Sequence, residues 1–427
     1  MQRWRAWVVV GVFTVGFLPG PAWAGEMDVL LNKLVEKGIL TASDAQEIRS
    51  EINPQHVEGD KALEQTMAET AKSTVPEWVQ NMKWGGDIRL REESRNRTGS
   101  GQDVNRQRIR FRYGVDAKVS DNLRVGARLA TGSTADPVST NQSLNTSFNH
   151  KTILLDRAFV EYATELPGKT QLRLTGGIME TPFWWIDPLV WDEDLNFDGA
   201  AIHLTEALGP AVTLFTHDGV FSLQTDITEA ATLWSTQAGI ALKPFLDARE
   251  EVLKNLKVSG ALAYHDYKNV TNPLSESTAL STAGGSKGNS ATIQDLNLFN
   301  PTVELASQVE GVPVSIFGDW VHNTAMASGN NGFQVGLKAG KAVTPFHLKD
   351  GLEGGYYFER LEPDATLGAF TESDFGNGGT NHRGHVWWVK LATLKNSGIQ
   401  LKYFNTQEVK DTKNHADTFQ ADWVTKF

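Results

Sequence analysis

Arginine recurs at every second position in the first segments of the chain that alternate polar and apolar residues. Every second side chain of a β-strand points to the same face, so this spacing places the guanidinium groups in a row. Arginine stays charged at physiological pH, and unpaired charges inside lipid are very costly. The row is therefore expected to line water in a pore, or to form structural ladders with acids such as Asp87, Glu92 and Asp116. Its members are Arg89, Arg91, Arg106, Arg108, Arg110, Arg112, Arg124 and Arg128.

An acidic segment follows the aromatic run Phe183-Trp184-Trp185. We expect it to be a constriction loop that faces the arginine row, because rows of opposite charge across a narrow passage would select ions. Two alternatives remain: a solvated external loop, and a loop that binds a divalent cation through its carboxylates. The acidic residues are Asp187, Asp192, Glu193, Asp194 and Asp198.

Enzyme chemistry finds little support in the sequence. There are no cysteines, so a disulfide framework, a cysteine zinc site and a thiol nucleophile are ruled out. Neither H-E-x-x-H nor a Walker A loop occurs, and the ten histidines are scattered. We expect no catalytic residues, no metal site and no cofactor.

The first 24 residues are typical of a secretory signal peptide. Arg3 and Arg5 precede an apolar run from Ala6 to Leu18, and Ala22-Trp23-Ala24 supplies small residues at an A-x-A cleavage site. The run is shorter than the roughly 20 residues of a membrane-spanning helix. Cleavage near Ala24 would change the formal charge from −11 to −13, because two arginines are removed.

Residues 25–76 are predicted to form a periplasmic helical or coiled-coil segment. Leu30, Leu31, Leu34 and Val35 recur at helical spacing, and Thr41 or Ser43 can cap a second helix. Such short amphipathic helices would bury their apolar stripes against one another or between copies of the chain. A solvated leader without a specific role is the alternative.

Residues 77–427 are predicted to form one antiparallel transmembrane β-barrel. From Trp84 onward apolar and polar residues alternate, and we predict about sixteen strands, an even number as single-chain bacterial barrels have. Tight turns such as Ser120-Asp121 alternate with long polar connections such as 132–152, 179–197 and 361–383. Short turns at one end and long loops at the other are the arrangement of an outer-membrane barrel.

The chain ends in an amphipathic strand with an aromatic last residue. Phe419, Trp423 and Phe427 share one face of this strand. A terminal aromatic residue of this kind resembles the signal by which the barrel-assembly machinery recognises its substrates. We therefore expect these three residues to act as an assembly signal.

Three stretches of the sequence resemble the family of outer-membrane porins with a short helical N-terminal segment. They are Leu30 to Thr41, to which the leader of phosphate-selective porins is comparable; Ala130 to Ser133 followed by Asp136 to Gln142; and Asp187 to Gly199. The resemblance extends over nearly all of the mature chain. It implies a barrel and passive transport, and no known substrate or functional residues.

The resulting interpretation is a channel in the bacterial outer membrane for passive diffusion of small hydrophilic solutes or ions. The expected partners are outer-membrane lipid, the barrel-assembly machinery and, in a homotrimer, two further copies; no nucleic acid is expected. One alternative is a secretion channel for a polymer, with the helical leader as a plug. Another is a secreted β-rich carbohydrate-binding protein.

Overall fold

A computed structural model of the chain describes residues 76–99, 101–145, 147–224, 230–270, 287–290 and 295–427, and part of 30–48. The signal-peptide prediction for residues 1–24 lies outside the described residues. The described residues belong to two units, divided between Pro76 and Glu77, and each is described by itself. No helix among them is long and apolar enough to cross a membrane.

The first unit is helical where it is described, at residues 30–31 and 33–36 and again at 43–45 and 48. Thr41 and Asp44 cap the second stretch reciprocally. The Asp44 backbone N–H donates to Thr41 Oγ1 at 3.2 Å, and the Thr41 N–H donates to Asp44 Oδ2 at 3.0 Å. Leu31 and Ala45 are buried, as expected of residues on an apolar stripe.

The second unit opens with the short helix Glu77–Gln80 and consists mainly of β-strands. Sixteen long strands lie within the described residues, and the two-residue strand Gln142–Ser143 pairs with the second of them. In chain order the long strands are β1 Lys83–Thr98, β2 Val104–Lys118, β3 Leu123–Thr131, β4 Ile153–Leu166, β5 Thr170–Glu180, β6 Asn196–Ala207, β7 Val212–Gln224, β8 Ala231–Leu242, β9 Lys257–Lys268, β10 Leu296–Val309, β11 Val312–Asn323, β12 Asn331–Ala342, β13 Gly351–Leu361, β14 His382–Leu394, β15 Ser397–Glu408 and β16 His415–Lys426.

The strands form a closed barrel. Each pairs antiparallel with its neighbours in the chain, and β1 pairs with both β2 and β16. The register of the closing pair places Asp87 opposite Lys426 and Thr98 opposite His415. The predicted barrel of about sixteen strands is confirmed, and most of the strands extend beyond the alternating segments that predicted them.

Alternation gives the barrel an apolar outside and a polar inside. On β1, Asp87, Arg89 and Arg91 are buried, whereas Ile88 and Leu90 between them are exposed. In water, an apolar outer face would be unfavourable. In a bilayer, the outer face contacts lipid and the inner face surrounds the lumen. The arginine row therefore points into the barrel.

The connections differ between the two ends. One end, the short-turn end, has connections such as 119–122, 167–169 and 310–311. The other end, the long-loop end, carries loop L3, residues 181–195, and loop L7, residues 362–381. L3 is the third connection at its end.

One longer connection at the short-turn end contains the helix Glu251–Lys254, which packs beside a neighbouring turn. The Gly311 backbone N–H donates to Glu251 Oε1 at 3.0 Å, and Ser307 Oγ donates to the Val252 carbonyl at 2.5 Å. The extra residues thus fasten two adjacent turns together.

Candidate functional site

Loop L3 lies inside the barrel and reaches the wall at several distant strands. Gln237 on β8 holds Trp184: its Oε1 accepts from the Trp184 N–H at 2.8 Å, and its Nε2 donates to the Trp184 carbonyl at 2.9 Å. Lys338 on β12 forms an ion pair with Asp187 at 2.7 Å. On β2, Arg112 lies 3.4 Å from Asp194. Since β2, β8 and β12 are spaced around a sixteen-stranded barrel, a loop that touches all three crosses the lumen.

Loop L7 also folds inward and is held by ion pairs. Asp374 is 2.7 Å from Arg91 on β1, and Glu372 is 2.6 Å from Lys402 on β15. Glu372 also accepts a hydrogen bond from the hydroxyl of Tyr357 at 2.7 Å. L7 is therefore attached to both sides of the seam at which the barrel closes.

The two loops meet in the lumen. The Asp192 backbone N–H donates to the Phe370 carbonyl at 2.8 Å, and Asp192 Oδ2 accepts from the Ser373 N–H at 2.7 Å. Apolar side chains of both loops pack with inward-facing wall residues into one buried cluster. Its loop members include Phe183, Leu189, Val190, Trp191 and Leu195 of L3 and Ala365, Leu367, Ala369 and Phe370 of L7. The cluster occupies part of the lumen at this level.

The arginine row is buried and ion-paired where L3 and L7 meet the wall. Arg110 lies 2.9 Å from Asp87 and 3.9 Å from Asp194. Arg91 lies 2.7 Å from Asp422, and Arg108 lies 3.7 Å from Glu93. Arg89 points inward as well and lies 4.0 Å from Asp422.

Two members of the row, Arg124 and Arg128, lie closer to the short-turn end. Arg124 pairs with Asp116 at 2.6 Å, and Arg128 pairs with Asp156. Asp87 and Asp116, two of the three acids expected in ladders, thus do pair with arginines, whereas Glu92 accepts from Gln107. The pore-lining role of the row stays a prediction.

Four of the five acids of the predicted constriction segment lie in L3 and have different surroundings, whereas Asp198 lies on β6 and is exposed. Asp187 pairs with Lys338, and Glu193 is exposed. Asp192 and Asp194 are buried, with exposed fractions of 3% and 5%. Within the described residues, no three His, Asp or Glu side chains come together in a group that could hold a metal ion.

The two buried acids are shifted in opposite directions. Burial alone would raise the pKa of Asp194, but Arg110, Arg89 and Arg112 outweigh it and bring the pKa below its usual value. Burial and the negative charge of Asp194 raise the pKa of Asp192 well above the ordinary range. Asp194 is thus the ionised partner of the arginine row, whereas the surroundings of Asp192 favour its protonated form.

A cavity of about 680 Å³ lies between the short-turn end and the start of L3. Trp184 and Phe183 border it from L3, and Phe159 borders it from the wall. Its charged lining has five cationic and three acidic residues: Lys83, Arg124, Arg128, Arg157, Arg173, Asp116, Glu161 and Glu180. The alternation of the sequence predicts that these residues face the lumen. It does not predict that they line one cavity.

The predicted assembly residues lie on the outer face. Phe419, Trp423 and Phe427 are all exposed. The backbone of Phe427 pairs with Gly86 of β1, with N–H to carbonyl distances of 2.9 and 3.1 Å, and its ring stacks beside Tyr113 at 6.2 Å. Recognition by the assembly machinery stays a prediction.

The fold resembles solved structures at low sequence identity. A high-pH structure of Pseudomonas putida OprB has 11% identity and a TM-score of 0.52, covering 82% of this chain and 95% of that one. Salmonella typhi OmpF in complex with daunomycin has 10% identity and a TM-score of 0.48, covering 81% of this chain and 97% of that one. The outer membrane channel DcaP of Acinetobacter baumannii has 12% identity and a TM-score of 0.46, covering 81% of this chain and 97% of that one. The first likeness supports the fold, and nothing rests on the other two.

Sequence comparison supplies the family. No curated protein matches the chain significantly. A family model described as putative porin matches residues 97–297 and 303–427, which is most of the barrel. This assignment does not favour the polymer-secretion and carbohydrate-binding alternatives. The chain belongs to the putative porin family and is a passive diffusion channel of the bacterial outer membrane.

Proposed function

We propose that the channel conducts small hydrophilic solutes past L3, with a preference for anions, and without a chemical step. The observation that carries the proposal is the cavity below L3, which is lined by five cationic and three acidic side chains, with Asp156 as a fourth acid paired to Arg128. Fixed charges that line a confined aqueous path raise the local concentration of ions of opposite sign. Arg124 and Arg173 are both accessible, since nearly half of each side chain is exposed.

L3 sets the narrowest part of the passage opposite the arginine row. Asp194 lies between Arg110 and Arg112, which supports a position of the loop against this wall. The charges at this contact are largely paired. We therefore propose that they hold L3 in position and that the cavity determines the ion preference. Residues 25–76 form a periplasmic segment in this proposal, after removal of residues 1–24.

Reversal potentials in planar bilayers test the proposal. Purified protein in a KCl gradient at low salt is expected to favour chloride. The double variant Arg124→Gln, Arg173→Gln should shift the reversal potential toward potassium. Arg383→Gln is a matched control, because Arg383 alternates with the inward-facing His382 and Gly384 and so belongs to the outer face of β14.

The shift should shrink with salt, since the Debye length falls from about 10 Å at 0.1 M to about 3 Å at 1 M. Potassium preference in the wild type would overturn the proposal. So would an unchanged reversal potential in the double variant at low salt.

A further inference from the structure

The cavity below L3 combines a fixed aromatic ring with incompletely neutralised cations. We propose that it binds planar aromatic carboxylates, with the ring of the solute against Trp184 and its carboxylate toward Arg173. The proposal rests on the anion preference proposed above and names the class of anion.

Trp184 is held in place by the wall. Its backbone N–H and backbone carbonyl both hydrogen-bond to the side-chain amide of Gln237, a residue only 2% exposed. The indole meets the Phe215 ring edge to face, with the centroids 6.1 Å apart. A ring fixed in this way loses little conformational freedom when a solute stacks on it.

Trp184 belongs to the lining of two cavities. It borders both the 680 Å³ cavity and a second cavity of about 450 Å³ that is also lined by Lys243 and Lys257. His217 borders both cavities as well. A solute in either cavity therefore has Trp184 in its lining.

Arg173 offers the carboxylate partner. Its side chain is about half exposed, and its ion pair is a long one, 3.7 Å to Glu161. Arg124, by comparison, lies 2.6 Å from Asp116 and also covers the Phe159 ring at 5.3 Å. Arg173 therefore has more unused capacity for a bidentate contact with a solute carboxylate.

Two histidines add polar atoms to the same lining. His203 and His217 lie opposite each other on β6 and β7, with ring centroids 4.7 Å apart. Their Nδ1 atoms are buried and have no hydrogen-bond partner within the described residues. Because these Nδ1 atoms are buried, we assign them no hydrogen bond to the solute, and the two histidines contribute only as residues of the cavity lining.

Charge and size select the class. The basic excess opposes organic cations, which a tryptophan ring alone would attract. A sugar would leave the cations without a counter-charge, and an aliphatic acid would forgo stacking on the indole. The cavity volume lies within the usual range of small-molecule sites, about 300–1,000 Å³.

Block of the KCl current in planar bilayers tests the inference with three probes of similar size. Benzoate should block at a concentration about fivefold lower than cyclohexanecarboxylate, the size of effect expected from one aromatic contact. Benzyl alcohol, which lacks the charge, should block least. Equal block by benzoate and cyclohexanecarboxylate would overturn the inference.

Variants separate the ring from the charge. Trp184→Leu should abolish the difference between the two acids, whereas Trp184→Phe should retain a part of it. Arg173→Gln should weaken block by both acids. Trp387→Leu is the matched control, because that tryptophan is on the exposed outer face of β14.

The outcomes distinguish this inference from the proposed function. A chloride-selective wild type that does not prefer benzoate refutes the aromatic site and leaves the anion channel standing. A potassium-selective wild type refutes the anion channel itself. If Trp184→Leu keeps the full preference for benzoate, the indole is not the binding ring, and the inference fails.

Discussion

Two neighbouring acids of L3, Glu193 and Asp194, differ in burial and in their contacts. Asp194 is buried, and its Oδ2 accepts from the Thr140 backbone N–H at 3.1 Å and from Thr140 Oγ1 at 2.9 Å. Its other oxygen lies near Arg110 and Arg112. Glu193 beside it is exposed. Only Asp194 is in a position to hold the loop to the wall.

Asp194→Asn is therefore expected to loosen L3. Removing one partner of a buried ion pair costs about 3–5 kcal/mol, because the remaining charges stay buried and less well compensated. We expect a noisier open current and a reversal potential shifted toward anions at low salt. Single-channel recording measures both.

Glu193→Gln is the control for this change and should keep wild-type noise. If both variants behave like the wild type, L3 is held by its other contacts and Asp194 has no special part in it.

Deletion of Phe427 is expected to lower the amount of protein in the outer membrane severalfold. The deletion removes the two backbone hydrogen bonds to Gly86 and an exposed aromatic residue at the edge of the closing strand. Quantitative blotting of outer-membrane fractions gives the yield. Phe427→Tyr keeps the ring and the backbone, and should assemble normally; equal yields for wild type and deletion would contradict the assembly role.

At the scale of elements, the contact between L3 and L7 is the least predictable feature of the fold. Asp192 connects the loops through its backbone N–H, which donates to the Phe370 carbonyl, and through its carboxyl group, which accepts from the Ser373 N–H. Burial and the charge of Asp194 raise the pKa of this carboxyl group. A carboxyl whose pKa is raised on folding stabilises the fold most below the unfolded value of about 3.9, and this contribution is lost as pH rises through the folded value. The contact should thus weaken as the solution becomes more alkaline.

The pH dependence gives a prediction for Asp192. Between pH 5 and 9 the current fluctuations of the wild type should increase with pH, because ionised Asp192 is unfavourable beside Asp194. Asp192→Asn keeps a carbonyl oxygen for the Ser373 N–H and cannot ionise, so its fluctuations should not depend on pH. Single-channel recordings at stepped pH compare the two, and a wild type without pH dependence would speak against this role.

The strands were predictable because their pattern is local. Water on one side and lipid on the other require a period of two, which a short stretch such as Arg108 to Tyr113 already displays. The inward fold of L7 was missed, although Leu367, Phe370 and Phe375 in a supposedly polar loop were a signal. Its anchoring depends on pairs such as Arg91 with Asp374, which are 283 residues apart in the chain. No local pattern specifies such a partner.

At the scale of the whole molecule, the barrel is closed and its outer face carries exposed apolar residues such as Leu262, Ile316 and Val335. The helical unit has apolar residues of its own that remain open to contact, including Leu30, which is 53% exposed. A second copy of the chain is one partner that could cover them. We therefore keep the trimer as a prediction.

Mass measurement of the detergent complex tests the trimer. The unheated protein should sediment as three copies. Leu30→Asp with Leu34→Asp should shift the mass toward one copy if the helical stripes pack between protomers, whereas Glu36→Gln on the exposed side should not. A single-copy mass for the unheated wild type would reject both the trimer and that role of the leader.

The pairing of β1 with β16 imposes an order of events on biogenesis. Arg91 pairs with Asp422, which lies 331 positions later in the chain, and Gly86 pairs with Phe427. Contacts so distant in sequence form slowly. Until they form, β1 offers an open edge that invites pairing with other chains. Closure of the barrel therefore comes after synthesis of β16, and β1 keeps one unpaired edge until that strand is available.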